Sequence, residues 1–181
     1  MTWIMTHTGV KFTPLEPKVS DVCLEDIAHA LSNMCRFNGH CKKFYSVAQH
    51  SVLVAEYLID ELEDTPYIVL CGLFHDAAEA YLPDLCRPIK PAWVEFARFE
   101  KQLLAIISRA LKIPLIWNSA AHNSVIEMAD NVLLATELRD LMFFVDPELP
   151  PPLEEKIVAW TPMYSKRKFL EMSRKYLDKG T

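Results

Sequence analysis

Apolar residues return every three or four positions along most of this chain, and that period commits it to packed helices. Leu24, Ile27, Ala28 and Leu31 make a first stripe, with Ser20 and Asp21 ahead of it as candidate caps. Ser46-Val47-Ala48-Gln49 has the S-x-x-Q form of a capping box, and Val47, His50, Val54, Tyr57 and Leu58 follow on one face. Thr65-Pro66 predicts a third helix, the hydroxyl as N-cap and proline at the first helical position, with Val69, Leu70, Leu73, Phe74 and Ala77 on its apolar side. A fourth helix is expected from about Trp93 to Leu111. A fifth follows Asn118-Ser119 through Ile126, Ala129, Leu133 and Leu134 towards Leu141, and Thr161-Pro162 starts a last one over 162–178 carrying Phe169, Leu170 and Leu177.

Strand signals are few. Ile4 to Phe12, with Gly9 between, reads as a short hairpin attached to a helical body. Pro83 to Pro91 and Asp146 to Leu153 read as loops, and neither separates two segments that could each hold a core. The expected fold class is therefore all-α, one domain over 1–181, with 181 residues of which 51% are hydrophobic, enough for a real core. With 4 Gly, 12 Pro and 24% charged residues the composition is neither disordered nor low-complexity. A net charge of −5 argues against a general nucleic-acid binder, which carries a clustered positive field to replace phosphate counterions. A nucleotide remains an admissible ligand, since a local site can be positive on an acidic protein.

Cys23, Cys35, Cys41, Cys71 and Cys86 are odd in number and form no C-x-x-C pair, so they read as reduced thiols in a reducing compartment. The first residues lack a basic region leading into an apolar one, and no run approaches the length of a membrane span. A soluble, cytoplasmic protein is expected.

The residues that could carry chemistry break the apolar pattern. His75-Asp76 falls inside the third predicted helix, with Glu79 four residues after His75 on the same face and Asp76 about 100° round. Leu73-Phe74 before and Ala77-Ala78 after favour burial, and buried charge must be paired or metal-bound. His50 takes an inward position where an apolar residue is ordinary. A single such histidine is more often a core residue with one satisfied hydrogen bond, and a lone Asp130 on the stripe of Ile126, Leu133 and Leu134 is more often a tilted helix edge. Together they offer two imidazoles and two carboxylates, a ligand set that suits a divalent transition metal with positions left open for water.

In order, His50, His75-Asp76 and Asp130 resemble the H…HD…D signature of the HD-domain metal-dependent phosphohydrolases. Arg36-Phe37-Asn38-Gly39-His40, Tyr45 to Ser51, His75 to Glu79, Asp84 and Pro88-Ile89-Lys90 extend the likeness, across residues 20–140, to the branch containing bacterial 5′-deoxynucleotidases and phage dATP triphosphohydrolases. The resemblance implies an all-helical HD domain binding Co²⁺, Zn²⁺ or Mn²⁺ through His50, His75, Asp76 and Asp130. It implies that Glu79 orients the attacking water or protonates the leaving oxygen, that Arg36 clamps the phosphate with help from Lys90, and that Asp84 accepts from the sugar 3′-hydroxyl. Phe37 stands where the family's nucleotidases carry tryptophan, so it is a substrate contact without the indole. A homo-oligomer, dimer or hexamer, is also implied, and Trp93, Phe96, Phe99, Phe169 and Tyr176 are candidates for either core or subunit contact.

The expected activity is hydrolysis of the bond between the 5′-oxygen and the α-phosphorus of a deoxynucleotide. Arg87, Lys90 and the Lys42-Lys43 pair tilt the expectation towards a dATP triphosphohydrolase, although each could be a solvated surface charge. A 5′-deoxynucleotidase acting on monophosphates is the alternative, and a non-catalytic nucleotide-binding module is the third. The partner is then the deoxynucleotide, with no stable nucleic-acid partner and no membrane, in the host cytoplasm if phage-encoded. A structural zinc on Cys35, His40 and Cys41 is a poor reading, because the spacing is irregular and no fourth ligand is evident.

Overall fold

The computed structural model describes residues 2–62, 65–113 and 120–180. Among the described residues the body is helical: α1 (Leu24–Asn33), α2 (Val47–Glu61), α3 (Pro66–Phe74), α4 (Val94–Leu111), α5 (Ala120–Glu137) and α6 (Pro162–Leu177). A short antiparallel hairpin of β1 (Ile4–Met5) and β2 (Lys11–Phe12) precedes them, pairing Ile4 with Phe12 and Met5 with Lys11. Gly9, at φ +88°, turns it in a conformation that other residues resist. This is the all-α chain with an attached hairpin that the periodicity predicts. Among the described residues no helix is long and apolar enough to cross a membrane.

Helix α2 is central, packing against α1, α3, α5 and α6. It is therefore buried around most of its circumference over the first turns, and His50 and Ser51 are as inaccessible as Val52 and Val54. Ile27, Leu31, Val52, Leu73, Phe74, Leu103, Ile107 and Phe169 form the main core, and Val54, Leu58, Ala129 and Leu133 a second cluster where α2 meets α5. Gly72 lets α3 approach α2 closely: a Cβ there would lie 2.3 Å from Leu58 Cδ1 and 3.3 Å from Val54 Cγ1. Of the aromatic candidates Phe96, Phe169 and Tyr176 are core residues, whereas Trp93 is 52% exposed.

The helix starts differ from expectation in informative ways. Ser46 Oγ accepts from Gln49 N at 3.1 Å, a cap worth about 1 kcal/mol, but the Gln49 side chain does not close the box. It donates to Val158 O and accepts from Trp160 N, both at 2.8 Å, and so fastens the segment leading into α6. Thr161 caps α6 as predicted, its Oγ1 accepting from Tyr164 N. Thr65 does not cap α3 by accepting from the amides of its first turn; its hydroxyl donates back to Leu62 O at 3.0 Å. Ser20 and Asp21 lie in a separate 3₁₀ turn, Val19–Asp21, and α1 starts after Cys23 without a side-chain cap. The Asn118-Ser119 start of α5 lies outside the described residues. At its other end α5 passes at Leu138–Met142 into a π turn.

Candidate active site

The largest departure from the predicted helices falls on the chemistry. Helix α3 stops at Phe74; His75 is its C-terminal flanking residue, Asp76 leaves helical geometry at φ −99°, ψ 12°, and Ala77–Ala80 make a 3₁₀ turn. With three residues per turn in place of 3.6, residues i and i+3 eclipse, so Asp76 and Glu79 face one cavity and His75 lies behind them. The expectation that His75 and Glu79 share a face is thus corrected: the α period on which it rested ends one residue too soon.

Three elements converge here. His50 comes from the first turns of α2, His75 and Asp76 from the end of α3, and Asp130 from α5. One ligand atom each from His50, His75 and Asp76 lie within 4.8 Å of one another. His50 Nε2 is 3.3 Å from His75 Nε2, 3.1 Å from Asp130 Oδ1 and 3.8 Å from Asp76 Oδ2, and His75 Nε2 is 3.2 Å from that same Asp76 oxygen. Of the four residues expected around the metal, His50, His75 and Asp76 thus form one convergent group, and Asp130 meets it through His50 Nε2.

The other ring nitrogens explain why. His75 Nδ1 lies 2.7 Å from Gly72 O, an acceptor only, so it carries a hydrogen. His50 Nδ1 lies 2.6 Å from Glu137 Oε1 and donates to that carboxylate. Both Nε2 lone pairs then point at each other and at two carboxylates, an arrangement that repels unless a proton or a cation lies among them. With no metal among these atoms, burial, the largest effect, and Arg36 oppose charge on the His50 ring, but Glu137 and Asp130 outweigh them and lift it to about 9. Burial likewise opposes charge on Asp76 and Asp130 and is likewise outweighed: by His75, His50 and Arg36 at Asp76, and by His50 foremost at Asp130, so both stay well below the usual carboxylate range. Two imidazoles with their second nitrogens anchored, and two ionised carboxylates, fit a divalent transition metal.

Glu137 was not among the sequence candidates. It is the last residue of α5, wholly buried, and besides His50 it accepts from Tyr45 Oη at 2.9 Å and from Arg36 Nη2 and Nε at 3.1 and 3.3 Å. These partners overcome the cost of burial and hold its carboxyl below the ordinary range. A signal was present: Glu137 lies seven residues after Asp130, two turns along the same stripe, so one helix face reaches both nitrogens of His50.

In front of the histidines lies a cavity of about 310 Å³. Asp76, Asp130, Glu79 and Asp84 line it together with Arg36, Phe37, Arg87 and Lys90. Phe37 takes a left-handed conformation, φ 55°, and its ring lies 5.5 Å from the Arg36 guanidinium. Glu79 is nearly inaccessible, and its Oε2 has no hydrogen-bond partner among the described residues. Burial, then the charges of Asp76 and Asp84, push it well above the usual carboxyl range, which favours its protonated form. Asp84 is raised too, by burial first and Asp76 next, against Arg36.

The cations of the cavity are all engaged. Arg36 holds Glu137 and also reaches Asp76 at 3.4 Å. Arg87 bonds Asp130, and Asn131 Oδ1 at 2.8 Å. Lys90 Nζ is 3.0 Å from Glu100 and 3.7 Å from Glu79. Lys42 and Lys43 do not line the cavity; Lys42 bonds Asp140 O at 3.2 Å and lies over the Phe143 ring. Cys35, His40 and Cys41 are not among the residues that converge as a metal-ligating group.

No protein-family model matches the chain. It is 36% identical over 141 residues to YfdR of Escherichia coli (strain K12), an uncharacterized protein, the match covering 78% of this chain and 73% of YfdR. It is also 31% identical over 153 residues to the uncharacterized protein RCAP_rcc00048 of Rhodobacter capsulatus, covering 81% of this chain and 76% of that one.

Proposed function

This chain belongs to the family of YfdR, and from the site on its helices we propose that it is a metal-dependent phosphohydrolase of the HD type acting on deoxynucleotides. One observation carries the reading: Asp76 and Asp130, which meet His50 and His75 behind them, line the same cavity as the Arg36 guanidinium and a buried Glu79 whose Oε2 has no hydrogen-bond partner among the described residues. His50, His75, Asp76 and Asp130 would hold a divalent ion, which when bound would supply Lewis-acid polarisation of a phosphoryl oxygen and lower the pKa of water. Co²⁺, Mn²⁺ and Zn²⁺ all suit these donors.

The chain's own residues do the rest. Arg36 offers a planar fork matched to phosphate and is held at the rear by Glu137, so its reach is set before substrate arrives. As water attacks the phosphorus, the bond to the 5′-oxygen breaks and that oxygen takes the proton from Glu79. The proton given up by the water restores the carboxyl. Asp84, on the same wall, accepts from a sugar 3′-hydroxyl, and Phe37 packs beside the ring system.

Between the two nucleotide classes the cavity favours the monophosphate. Its three cations are already paired with carboxylates, the Lys42-Lys43 pair lies elsewhere, and about 310 Å³ is near the lower end for small-molecule sites. A triphosphate would bring about two more negative charges than a monophosphate, and Lys42 and Lys43 do not line the cavity to meet them. Purified protein incubated with Co²⁺, Mn²⁺ or Zn²⁺ and each dNMP and dNTP, with the phosphorus product identified by ³¹P NMR, tests this. Orthophosphate from dNMPs is expected. Triphosphate released from dATP would restore the triphosphohydrolase reading, and metal-dependent binding without turnover would leave the non-catalytic module.

A further inference from the structure

We infer that Glu137 is a positioning residue that sets both halves of the site at once, holding His50 as a metal ligand through one oxygen and Arg36 as a phosphate clamp through the other. The inference rests on the phosphohydrolase reading and goes beyond it, because Glu137 touches neither the ligand atoms nor the cavity. Its Oε1 takes His50 Nδ1 at 2.6 Å and Tyr45 Oη at 2.9 Å; its Oε2 takes Arg36 Nη2 at 3.1 Å and Nε at 3.3 Å. A carboxylate is the one side chain that can accept on both oxygens from four donor groups while carrying the charge that Arg36 needs.

The consequences differ on the two sides. For His50, a hydrogen on Nδ1 fixes the tautomer, so Nε2 is the nitrogen presented to Asp76, Asp130 and His75. For Arg36, two bonds to one oxygen fix the guanidinium plane, leaving Nη1 turned towards Asp76 and the cavity. Glutamine at 137 cannot serve both sides: its amide nitrogen would meet a donor, stranding either the imidazole or the guanidinium in a fully buried place. Because α5 ends at Glu137 and passes into the π turn, the carboxylate stands on a defined helical face and not on a loop.

The test uses Co²⁺ alone and inorganic phosphate, with no turnover. Co²⁺ affinity is read from the visible spectrum and phosphate affinity by calorimetry, for wild type, Glu137→Gln, Arg36→Ala and the double variant. Glu137→Gln should weaken Co²⁺ by about 10- to 100-fold and weaken phosphate as well. In the Arg36→Ala background it should still weaken Co²⁺ and yet, with Co²⁺ held saturating, remove no further phosphate affinity, a pattern that a general loss of stability does not produce. Wild-type Co²⁺ affinity in a folded Glu137→Gln protein overturns the inference while leaving the phosphohydrolase reading intact. A wild type that binds neither Co²⁺ nor phosphate overturns both. If Glu137→Gln does not fold, long-range ¹H–¹⁵N NMR of the Zn²⁺-loaded wild type decides: a hydrogen on His50 Nδ1 is expected, and a hydrogen on Nε2 refutes it.

Discussion

Replacing Glu79 by glutamine separates proton donation from every other property of the site. The carboxyl is buried, its Oε2 has no hydrogen-bond partner among the described residues, and burial together with Asp76 and Asp84 raises it well above the usual carboxyl range and favours its neutral form. Lys90 does not hold it ionised, because that ammonium lies closer to Glu100, at 3.0 Å, than to Glu79, at 3.7 Å. Glutamine is therefore a neutral replacement of the same shape, lacking only the acidic hydrogen. General acid catalysis contributes about 10²- to 10⁴-fold, or about 2.7–5.4 kcal/mol at 1.36 kcal/mol per tenfold, and kcat for a dNMP should fall by that much while Co²⁺ affinity holds. Hydrolysis of an activated aryl phosphate, whose phenolate departs without a proton, should fall far less. Equal losses on both substrates would refute the assignment of Glu79 to the leaving oxygen.

The same residue fixes a pH dependence. Its active form is the protonated one, so turnover declines as pH rises through the raised value, and Glu79→Gln lacks that alkaline limb. For stability, the unfolded chain releases this proton at a lower pH than the folded protein. Between those two points the native state binds the extra proton, and stability falls as pH rises. Glutamine removes the dependence, so the variant should melt higher than wild type in neutral and mildly alkaline buffer while being nearly inactive.

Gly72→Ala places a Cβ 2.3 Å from Leu58 Cδ1, so overpacking of about 1–3 kcal/mol, offset by about 1 kcal/mol of helix propensity, should lower Tm modestly. Since Gly72 O anchors His75, Co²⁺ affinity should drop in parallel, and an unchanged affinity would show that the α2–α3 approach does not set the ligand geometry. Co²⁺ binding should also displace the proton shared at His50, whose ring stands at about 9 without metal. Calorimetry at pH 7 in buffers of different ionisation enthalpy should give close to one proton released per ion, and a buffer-independent enthalpy would contradict the facing lone pairs.

The helical body was readable because burial and periodicity agree. Val47, Val54 and Leu58 on α2, or Phe169 and Leu170 on α6, lie where a 3.6-residue period puts a core face. The failures occur where a side chain had a better use than local capping. Gln49 matched a capping box and instead ties down Val158 and Trp160, more than a hundred residues away, which no local pattern encodes. Thr65 found Leu62 O, and the end of α3 at Phe74 has no breaker residue to announce it.

The metal-ligand candidates were legible for the opposite reason: His50, Asp76 and Asp130 each violate an apolar surround, and violations accumulate where chemistry is done. Glu137 violates it equally and was passed over, because its partners Arg36, His50 and Tyr45 come from segments 87 to 101 residues distant. The electrostatic order of the cavity was likewise hidden, since it depends on which acids pair with which cations. Asp76 holds Arg36 and Asp130 holds Arg87, and both carboxylates belong to the expected metal set. On the proposed reading, a cation bound by those two acids would loosen their grip on the guanidinium groups and leave N–H donors free at the point where a phosphate would lie. An acidic cavity on an acidic protein would thereby become more receptive to an anion once a cation has entered, and the phosphate titration read without and then with Co²⁺ measures that order directly: tighter binding with the ion is required, and equal binding contradicts it.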